Sequence, residues 1–206
     1  MMDKFKDLFQ EYELLVAKAD QAFQEMTKDY RANINCDIQC SDCCNAVFGL
    51  FLIESAYLNH HFNKLDRTIR RAAASKGDKF DKALLELEKK FQENKNKGQA
   101  LEKIRIGCPL LNDEQKCSLY KHRPITCRVY GIPTIINGQI HACWKAGFKK
   151  GESYPAFDLD SAYKELYNLS KRLLERVGHK DMDKASLLVS VSKSIKTPLE
   201  DLINEI

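Results

Sequence analysis

The sequence has no run of 18 apolar residues, so no segment of it predicts a membrane-spanning helix. Near its N-terminus it also lacks an uninterrupted apolar stretch followed by a small-residue cleavage site, and acidic residues recur there. The N-terminal segment is therefore unlike a secretory signal peptide. From these absences we expect a cytoplasmic protein without a membrane partner, in a reducing compartment where disulfide bonds are rare.

An excess of charge of one sign is missing too. The 206 residues include 33 basic and 29 acidic side chains, a net charge of +4, and the two signs are interspersed along the chain. This balance does not indicate a nucleic-acid partner, and we expect none. P-loops, HExxH motifs and GxGxxG motifs are absent, so we assign no catalytic residue. The sequence leaves a protein partner open and does not identify one.

Cysteine, in contrast, is abundant, and four of the eight cysteines lie within the nine residues CDIQCSDCC at positions 36–44. In a reducing compartment, metal ligation explains such a cluster better than disulfide bonds. Thiolates are soft ligands that select zinc, Cu(I) or iron–sulfur clusters, and four sulfurs complete a tetrahedral zinc site or hold a four-cysteine cluster. The candidate metal ligands are Cys36, Cys40, Cys43, Cys44, Cys108, Cys117, Cys127 and Cys143.

Other interpretations of these cysteines stay open. Disulfides and reactive thiols are alternatives, and a buried cysteine often acts as a small hydrophobic residue, which suits Cys143 nearly as well as ligation does. The spacing of Cys40 and Cys43 lets both sulfurs approach one metal from a single turn. Adjacent side chains of an extended segment point in different directions, so Cys43 and Cys44 need not share a metal. The sequence leaves open whether there is one site or two.

Apolar residues at steps of three and four predict helices on both sides of a cysteine-rich middle. The predicted helices cover roughly the first 30 residues, 53–74, 80–91, 163–177 and 185–195, with a short one starting at 197–200. We place a helix break at residues 75–78, an end in the polar tract 94–98, and a stop at Gly178. The last helix follows from a capping box with proline.

Helical periodicity disappears between Ile104 and Phe148. Asn137-Gly138 there predicts a β-hairpin joining residues 132–136 to 139–143, whereas the run 47–52 suits a buried strand or the start of a helix equally. The fold class we predict is mainly α, with helices wrapped around a cysteine-rich loop-and-hairpin metal centre. We expect one domain over 1–206, with a metal-binding core at 36–148 and helical flanks at 1–35 and 149–206. The metal is then at least structural, because the middle has little apolar periodicity with which to fold unaided.

Three segments resemble a known family. They are Cys36-x3-Cys40-x2-Cys43-Cys44, then CPLL at 108–111 leading to CSLY at 117–120, and RPITCRVY at 123–130. The chain resembles the YkgJ-like cysteine-cluster proteins, which are described as zinc- or iron-chelating and have the flagellin lysine N-methylases among their relatives. The resemblance implies that the cysteines jointly form a metal centre. The first cysteine gap is three residues here, where many members have two.

We therefore predict a metal-binding protein, with an iron–sulfur cluster or iron preferred because of the tight spacing and the relatives, and with zinc as the alternative. A second hypothesis is an iron–sulfur-dependent enzyme, such as a protein lysine N-methylase or a redox catalyst. Against a methylase, no glycine-rich S-adenosylmethionine loop follows a strand, and the chain is short. A third hypothesis is an oxidative sensor that uses Cys43 and Cys44.

Three further residues are candidates for binding the cofactor. Arg123 and Arg128 place positive charge beside Cys127, which favours its thiolate and compensates a negatively charged cluster. Ion pairs with the acidic helices are the alternative role for these arginines. Tyr130 either donates a hydrogen bond to a cluster sulfur or fills space. We expect Trp144 to pack against the metal centre.

Overall fold

The computed structural model of the protein describes residues 2–36, 40–93 and 104–205. Residues 37–39 of the predicted cysteine loop 36–44 and the polar tract 94–98 lie outside these ranges. The described part is mainly helical, as predicted, and no helix in it is long and apolar enough to cross a bilayer. Its elements are α1 Lys6–Asp29, α2 Leu52–Phe62, α3 Arg67–Glu93, α4 Ile125–Val129, α5 Leu159–Val177, α6 Val191–Lys196, α7 Leu199–Glu205, β1 Thr134–Ile136, β2 Gln139–His141 and β3 Phe157–Asp158.

The chain folds into two compact units, each assembled from separate stretches of sequence. The first unit contains Met1–Cys40, Phe51–Glu54 and Arg123–Leu187, and the second contains Ser41–Leu50, Ser55–His122 and Leu188–Ile206. Helix α2 is divided between them. Our expectation of a single domain stays a prediction.

In the first unit, α1 packs against α4 and α5. The predicted apolar stripe of α1 is largely buried, including Leu8, Tyr12 and Ala19, because residues three or four apart share one face of a helix. Helix α5 extends four residues further toward the N-terminus than its predicted start. The Asp158 carboxylate caps it by accepting a 2.9 Å hydrogen bond from the Ser161 amide. It ends as predicted at Gly178, whose φ is +75°.

The predicted hairpin lies in the same unit. β1 pairs antiparallel with β2, and both turn residues have positive φ, +52° at Asn137 and +69° at Gly138, as this two-residue turn requires. The Asp160 carboxylate accepts hydrogen bonds from both of their amides, at 2.9 and 3.0 Å. A third strand, β3, pairs parallel with β1 and was not predicted. Two residues are too few to show an alternating pattern in sequence.

In the second unit, the predicted break at residues 75–78 is wrong, because α3 runs through it without interruption. The helix begins instead after Asp66, whose carboxylate accepts a 2.7 Å hydrogen bond from the Thr68 amide. Gly77 is tolerated inside α3 because α6 packs against it. A Cβ at Gly77 would lie 2.7 Å from the Ser192 hydroxyl oxygen. The glycine therefore reflects a close helix approach rather than a helix end.

The helix predicted at 185–195 is also corrected. Met182–Ser186 forms a 3-10 helix, residues 187–190 do not continue it, and α6 begins only after Ser190. The backbones of Leu50 and Val189 exchange two 2.8 Å hydrogen bonds, which hold that stretch extended. The Ser190 hydroxyl then caps α6 by accepting from the Lys193 amide. The run 47–52, for which the sequence left a strand and a helix start open, contains the Leu50 side of this isolated β-bridge, and α2 begins at its last residue, Leu52. The predicted terminal helix is confirmed as α7.

The apolar core of the second unit adjoins two of the cysteines. Leu110 and Leu119 are each 3% exposed and belong to this core, and Cys108 and Cys117 pack against it. The leucines of the CPLL and CSLY segments therefore anchor the loop that carries these two sulfurs. The other buried members of the core are Leu50, Leu58, Phe62, Ala73, Val191 and Ile195.

Candidate metal centre

All eight cysteines lie in described segments, and none of them forms a disulfide bond. They divide equally between the units. Cys36, Cys40, Cys127 and Cys143 belong to the first unit and are called the first set below, and Cys43, Cys44, Cys108 and Cys117 belong to the second unit and are called the second set. Across the described ranges, no group of three or more Cys, His, Asp or Glu side chains is placed so that it could hold a metal ion.

Backbone pairing brings the two halves of the second set together. The Cys108 amide donates a 2.7 Å hydrogen bond to the Cys44 carbonyl, and the Ile106 amide donates a 3.0 Å bond to that of Asn45. Ala46 and Arg105 form an antiparallel bridge next to them. The segment after the cysteine doublet is therefore paired with the segment that leads into CPLL.

Cys108 and Cys117 are brought together by a tight loop. Leu111 and Cys117 form an antiparallel bridge, and the Ser118 amide donates a 2.8 Å hydrogen bond to the Leu110 carbonyl. The loop turns over residues 112–116, where Gln115 has a φ of +59°. Lys76 fixes it by donating 2.8 Å hydrogen bonds to the Leu111 carbonyl and to the Asp113 carboxylate. CPLL and CSLY are thus the two sides of one short loop.

The backbone of the Cys43-Cys44 doublet is not extended. The expectation that its two side chains point in different directions assumed an extended segment, so it does not apply here. Cys43–Asn45 is a 3-10 turn, in which the Cys44 amide donates to the Ser41 carbonyl at 3.0 Å. The Cys44 thiol is hydrogen bonded to the thiols of both Cys43 and Cys117. The thiols of Cys43 and Cys117 are therefore both neighbours of the Cys44 thiol.

The surroundings of the Cys44 and Cys108 thiols favour their protonated forms. The hydrogen bonds to Cys117 and Cys43, and then burial, raise the pKa of the Cys44 thiol far above its usual range. Burial raises the pKa of the Cys108 thiol to about 12, with the neighbouring Cys117 and Cys43 adding to the shift. A bound metal ion has the opposite effect on the thiol pKa, because a coordinated thiol is deprotonated.

In the first unit, Cys36 lies against the end of α4. Its Sγ is 2.2 Å from the position that a Cβ at Gly131 would occupy, and Gly131 follows Cys127 by four residues. Only a residue without a side chain leaves room for the sulfur. Cys36 is therefore close to the α4 segment that carries Cys127.

Two asparagines tie the Cys36 segment to the Cys143 segment. The Asn33 side chain donates a 2.7 Å hydrogen bond to the Gly147 carbonyl, and the Gly147 amide returns a 2.7 Å bond to the Asn33 carbonyl. The Asn35 side chain donates to the Lys145 carbonyl at 2.6 Å. Three segments of the first set, carrying Cys36, Cys127 and Cys143, thus converge through backbone and amide contacts.

The candidate cofactor residues lie beside this set in the first unit. Arg128 is 4% exposed and donates a 2.6 Å hydrogen bond to the Asp20 carboxylate of α1 and a 2.9 Å bond to the Arg123 carbonyl. This ion pair matches the alternative role considered for the arginines. Tyr130 directly follows α4. A cofactor-binding role for Arg123, Arg128 and Tyr130 stays a prediction.

A buried acid that the sequence analysis missed also supports α4. Glu54 is 3% exposed, and its carboxylate accepts hydrogen bonds from the amides of Phe51, at 3.2 Å, and Ile125, at 3.0 Å. Glu54 thereby satisfies donors at the starts of α2 and α4. Burial raises the pKa of this carboxyl to about 7, although the two amide bonds act in the opposite direction. In the sequence, Glu54 is the single acid within the apolar run LFLIESAYL at 50–58, and this position could have identified it as a buried carboxyl group.

Trp144 does not pack as expected. It is 70% exposed, and the Lys145 ammonium lies 5.3 Å from its ring. The prediction that it packs against a metal centre is therefore not supported by its burial.

In the second unit, His122 contacts Tyr57 and stacks on His61, with ring centroids 3.5 Å apart.

The donor set fits a thiophilic group. Sulfur supplies the candidate ligands in both sets, and backbone pairing brings the segments of Cys44 and Cys108 together. Soft thiolates suit zinc, iron–sulfur clusters and Cu(I) rather than magnesium or calcium.

Comparison with known proteins agrees with this chemistry. No curated protein and no solved structure matches the chain. Residues 35–143, just over half of the chain, match a family described as a "putative zinc- or iron-chelating domain". The match spans all eight cysteines, from Cys36 to Cys143, and the family-level resemblance is confirmed. The chain belongs to this CxxCxxCC family.

Proposed function

We propose that the protein binds metal through its eight cysteines, with an iron–sulfur cluster or iron as the preferred group and zinc as the alternative. The observation that carries the proposal is the backbone pairing of residues 44–46 with 105–108, which brings the segments of Cys44 and Cys108 together although they are far apart in sequence. Membership of the chelating family supports the same reading.

The chain's own residues perform three tasks in this function. The sulfurs act as ligands and give up their protons on binding, so uptake of metal releases protons. The Leu110 and Leu119 side chains anchor the loop that carries two of them. In the first unit, Asn33 and Asn35 hold the Cys36 segment against residues 145–147. When bound, the group would cross-link these segments and so stabilise the folded state.

The preference for iron over zinc rests on the tight C-x3-C-x2-C-C spacing and on the relatives named from the sequence. The iron–sulfur-dependent enzyme, the oxidative sensor and the cytoplasmic location stay predictions. A protein partner also stays open.

Anaerobic purification followed by metal and sulfide analysis, beside a visible spectrum, tests the proposal. Iron with acid-labile sulfide and broad visible absorption supports the preferred group, and a colourless protein with stoichiometric zinc supports the alternative. A chain that takes up neither metal, as purified or after anaerobic reconstitution, contradicts the function. The Cys44→Ser variant should lose metal, and the matched Ser118→Ala variant, which removes a hydroxyl next to Cys117, should retain it.

A further inference from the structure

We infer that the outer edge of β2 is a docking surface for an acidic protein segment, which adds to the sheet as a further extended strand. This surface, called the hairpin edge below, comprises Gln139–His141 together with Trp144, Lys145 and Lys150. It lies wholly within the first unit. The inference adds an interaction surface and does not depend on the proposed metal binding.

Strand β2 lies at one edge of the three-stranded sheet, whose order is β2-β1-β3. All three of its residues are exposed, and in the part of the chain that the structure describes no strand pairs with its outer side. An edge strand presents backbone donors and acceptors on the side away from its neighbour. An extended peptide binds such an edge through main-chain hydrogen bonds, which is the mode of recognition that this geometry favours.

The register of the hairpin decides which backbone groups face outward. Ile136 and Gln139 flank the two-residue turn and form its first pair, which is hydrogen bonded. Hydrogen-bonded and non-hydrogen-bonded pairs alternate along an antiparallel ladder, so the next pair, Ile135 with Ile140, is a non-hydrogen-bonded one. The N–H and C=O groups of such a pair point away from each other. Both backbone groups of Ile140 therefore face the outer edge of the sheet.

Large apolar side chains lie in the same stretch of chain. The Ile140 side chain is 67% exposed and that of Trp144 is 70% exposed. The Lys145 ammonium lies 5.3 Å from the Trp144 ring centroid, within the range of a cation–π contact. Exposed aromatic residues are enriched at protein interfaces, because they bury a large area and keep a polar group for hydrogen bonding. These side chains supply apolar contacts to a strand that docks on β2.

The charge of this stretch selects the kind of strand. Residues 138–151 contain three lysines and no acid. Lys149 lies 3.6 Å from Glu152, whereas no ion pair of Lys150 occurs within the described ranges. Pairing with the same edge of a second copy would bring like charges together, which disfavours self-association. An acidic segment has the complementary charge and is therefore the occupant that the hairpin edge favours.

The backbone groups distinguish this occupant from a lipid surface. Tryptophan and lysine are also typical of residues at membrane interfaces. Insertion of the hairpin edge into a bilayer, however, would leave the outward N–H and C=O groups of Ile140 without partners, at a cost of several kcal/mol for each group in hydrocarbon. A docked peptide strand satisfies both groups. The geometry therefore favours a protein segment over a membrane.

Titration of the isotope-labelled, full-length protein with two short capped peptides tests the inference. One peptide alternates glutamate with valine, and the matched peptide alternates lysine with valine. We expect the acidic peptide to bind at least about 10-fold more tightly. Its binding should slow exchange of the Ile140 amide hydrogen at least about 10-fold, whereas the Gln139 amide, which faces β1, should keep its rate. Binding of neither peptide, equal binding of both, or binding without protection of Ile140 overturns the inference.

Two variants separate the backbone contribution from that of the side chain. Ile140→Pro removes the outward donor and leaves the hydrogen-bonded pairs of β1 with β2 in place, because proline is tolerated on an edge strand when its nitrogen faces outward. Ile140→Ala is the matched control, since it removes the same side chain and keeps the donor. The proline variant should bind the acidic peptide about 3- to 10-fold more weakly than the alanine variant. Equal binding by the two variants would rule out strand addition.

A charge reversal keeps the test decisive if the proline disturbs the hairpin. Lys150→Glu should weaken binding of the acidic peptide about 3- to 10-fold at low salt. The matched Lys180→Glu variant, at an exposed position elsewhere in the first unit, should bind like the wild type. Equal effects of the two reversals would contradict docking at the hairpin edge. Sedimentation with phosphatidylserine vesicles that is lost in Trp144→Ala and unchanged in Ile140→Pro would assign the surface to lipid and overturn the inference.

Discussion

The Sγ of Cys36 lies 2.2 Å from the position that a Cβ at Gly131 would occupy. Real Cβ atoms do not approach a sulfur this closely, so a side chain at position 131 and the present position of Cys36 exclude each other. This relationship links the first cysteine of the motif to the segment directly after α4.

Gly131→Ala should therefore displace the Cys36 sulfur and weaken metal binding at the first set by about 10- to 100-fold, as for other changes that misplace a ligand. Metal titration of the full-length protein provides the measurement. Gly107→Ala is the matched control, because a Cβ there would meet only the Asn45 side chain, at 3.7 Å. Equal binding by Gly131→Ala and the wild type would contradict this role.

The buried Arg128 makes a second prediction. Its ion pair with Asp20 has a guanidinium that is 4% exposed and a carboxylate that is 38% exposed. Asp20→Asn would leave a buried charge without its counter-ion, although water can reach the site from the carboxylate side. We expect the free energy of unfolding to fall by about 2 kcal/mol, less than for a fully buried pair.

Denaturant unfolding measures this effect. The matched control is Glu165→Gln, which removes the exposed 3.5 Å ion pair with Lys18 and should change stability by less than about 0.5 kcal/mol. A loss in Asp20→Asn no larger than in the control would show that the pair contributes nothing.

Glu54 predicts a pH dependence of stability. The pKa of its carboxyl is about 7 in the folded protein against an ordinary value of 4.5, because the group is buried. The folded state therefore binds this proton more tightly than the unfolded state does. The resulting stabilisation is complete below pH 4.5 and is lost as the pH rises through about 7. Between these limits the loss is about 3 kcal/mol, at roughly 1.4 kcal/mol per pH unit.

Glu54→Gln removes this titration and leaves one amide of Phe51 or Ile125 without its acceptor, at a cost of about 1–3 kcal/mol. Its deficit relative to the wild type should therefore be largest near pH 5 and shrink as the pH approaches 8. Urea unfolding across this range measures the change. The exposed Glu25→Gln variant should follow the wild-type curve, and a constant deficit for Glu54→Gln would contradict the pKa assignment.

Removal of metal should loosen the loop of the second set before it affects the helices. The segment 105–118 has little regular structure beyond its bridges to Ala46 and within the loop. Without cross-linking sulfurs, we expect the amide hydrogens of Cys108 and Ser118 to exchange at least about 10-fold faster, whereas those in the middle of α5 keep their protection. Hydrogen exchange before and after chelation tests this, and unchanged exchange at both amides would show that the loop folds without metal.

Several elements could be predicted because their signals are local. The apolar stripe of α1, the Asn137-Gly138 turn and the stop at Gly178 each depend on residues within a few positions of one another. The break at 75–78 was predicted wrongly by the same logic. Glycine weakens a helix by only about 1 kcal/mol, and the packing of α6 against Gly77 outweighs that cost.

The sequence by itself determined that this is a mainly helical protein, which residues can serve as soft ligands, and which family they represent. Only the tertiary structure decided which of the segments that carry these cysteines lie next to one another. The bond from Asn35 to the Lys145 carbonyl joins residues 110 positions apart, and the Cys108 amide reaches the Cys44 carbonyl across a similarly nonlocal gap. No local pattern encodes such pairings, because they depend on how separate segments fold against one another. For the same reason, cysteines that are close in CDIQCSDCC can belong to different units, while the segments of distant ones, such as Cys44 and Cys108, pair through their backbones.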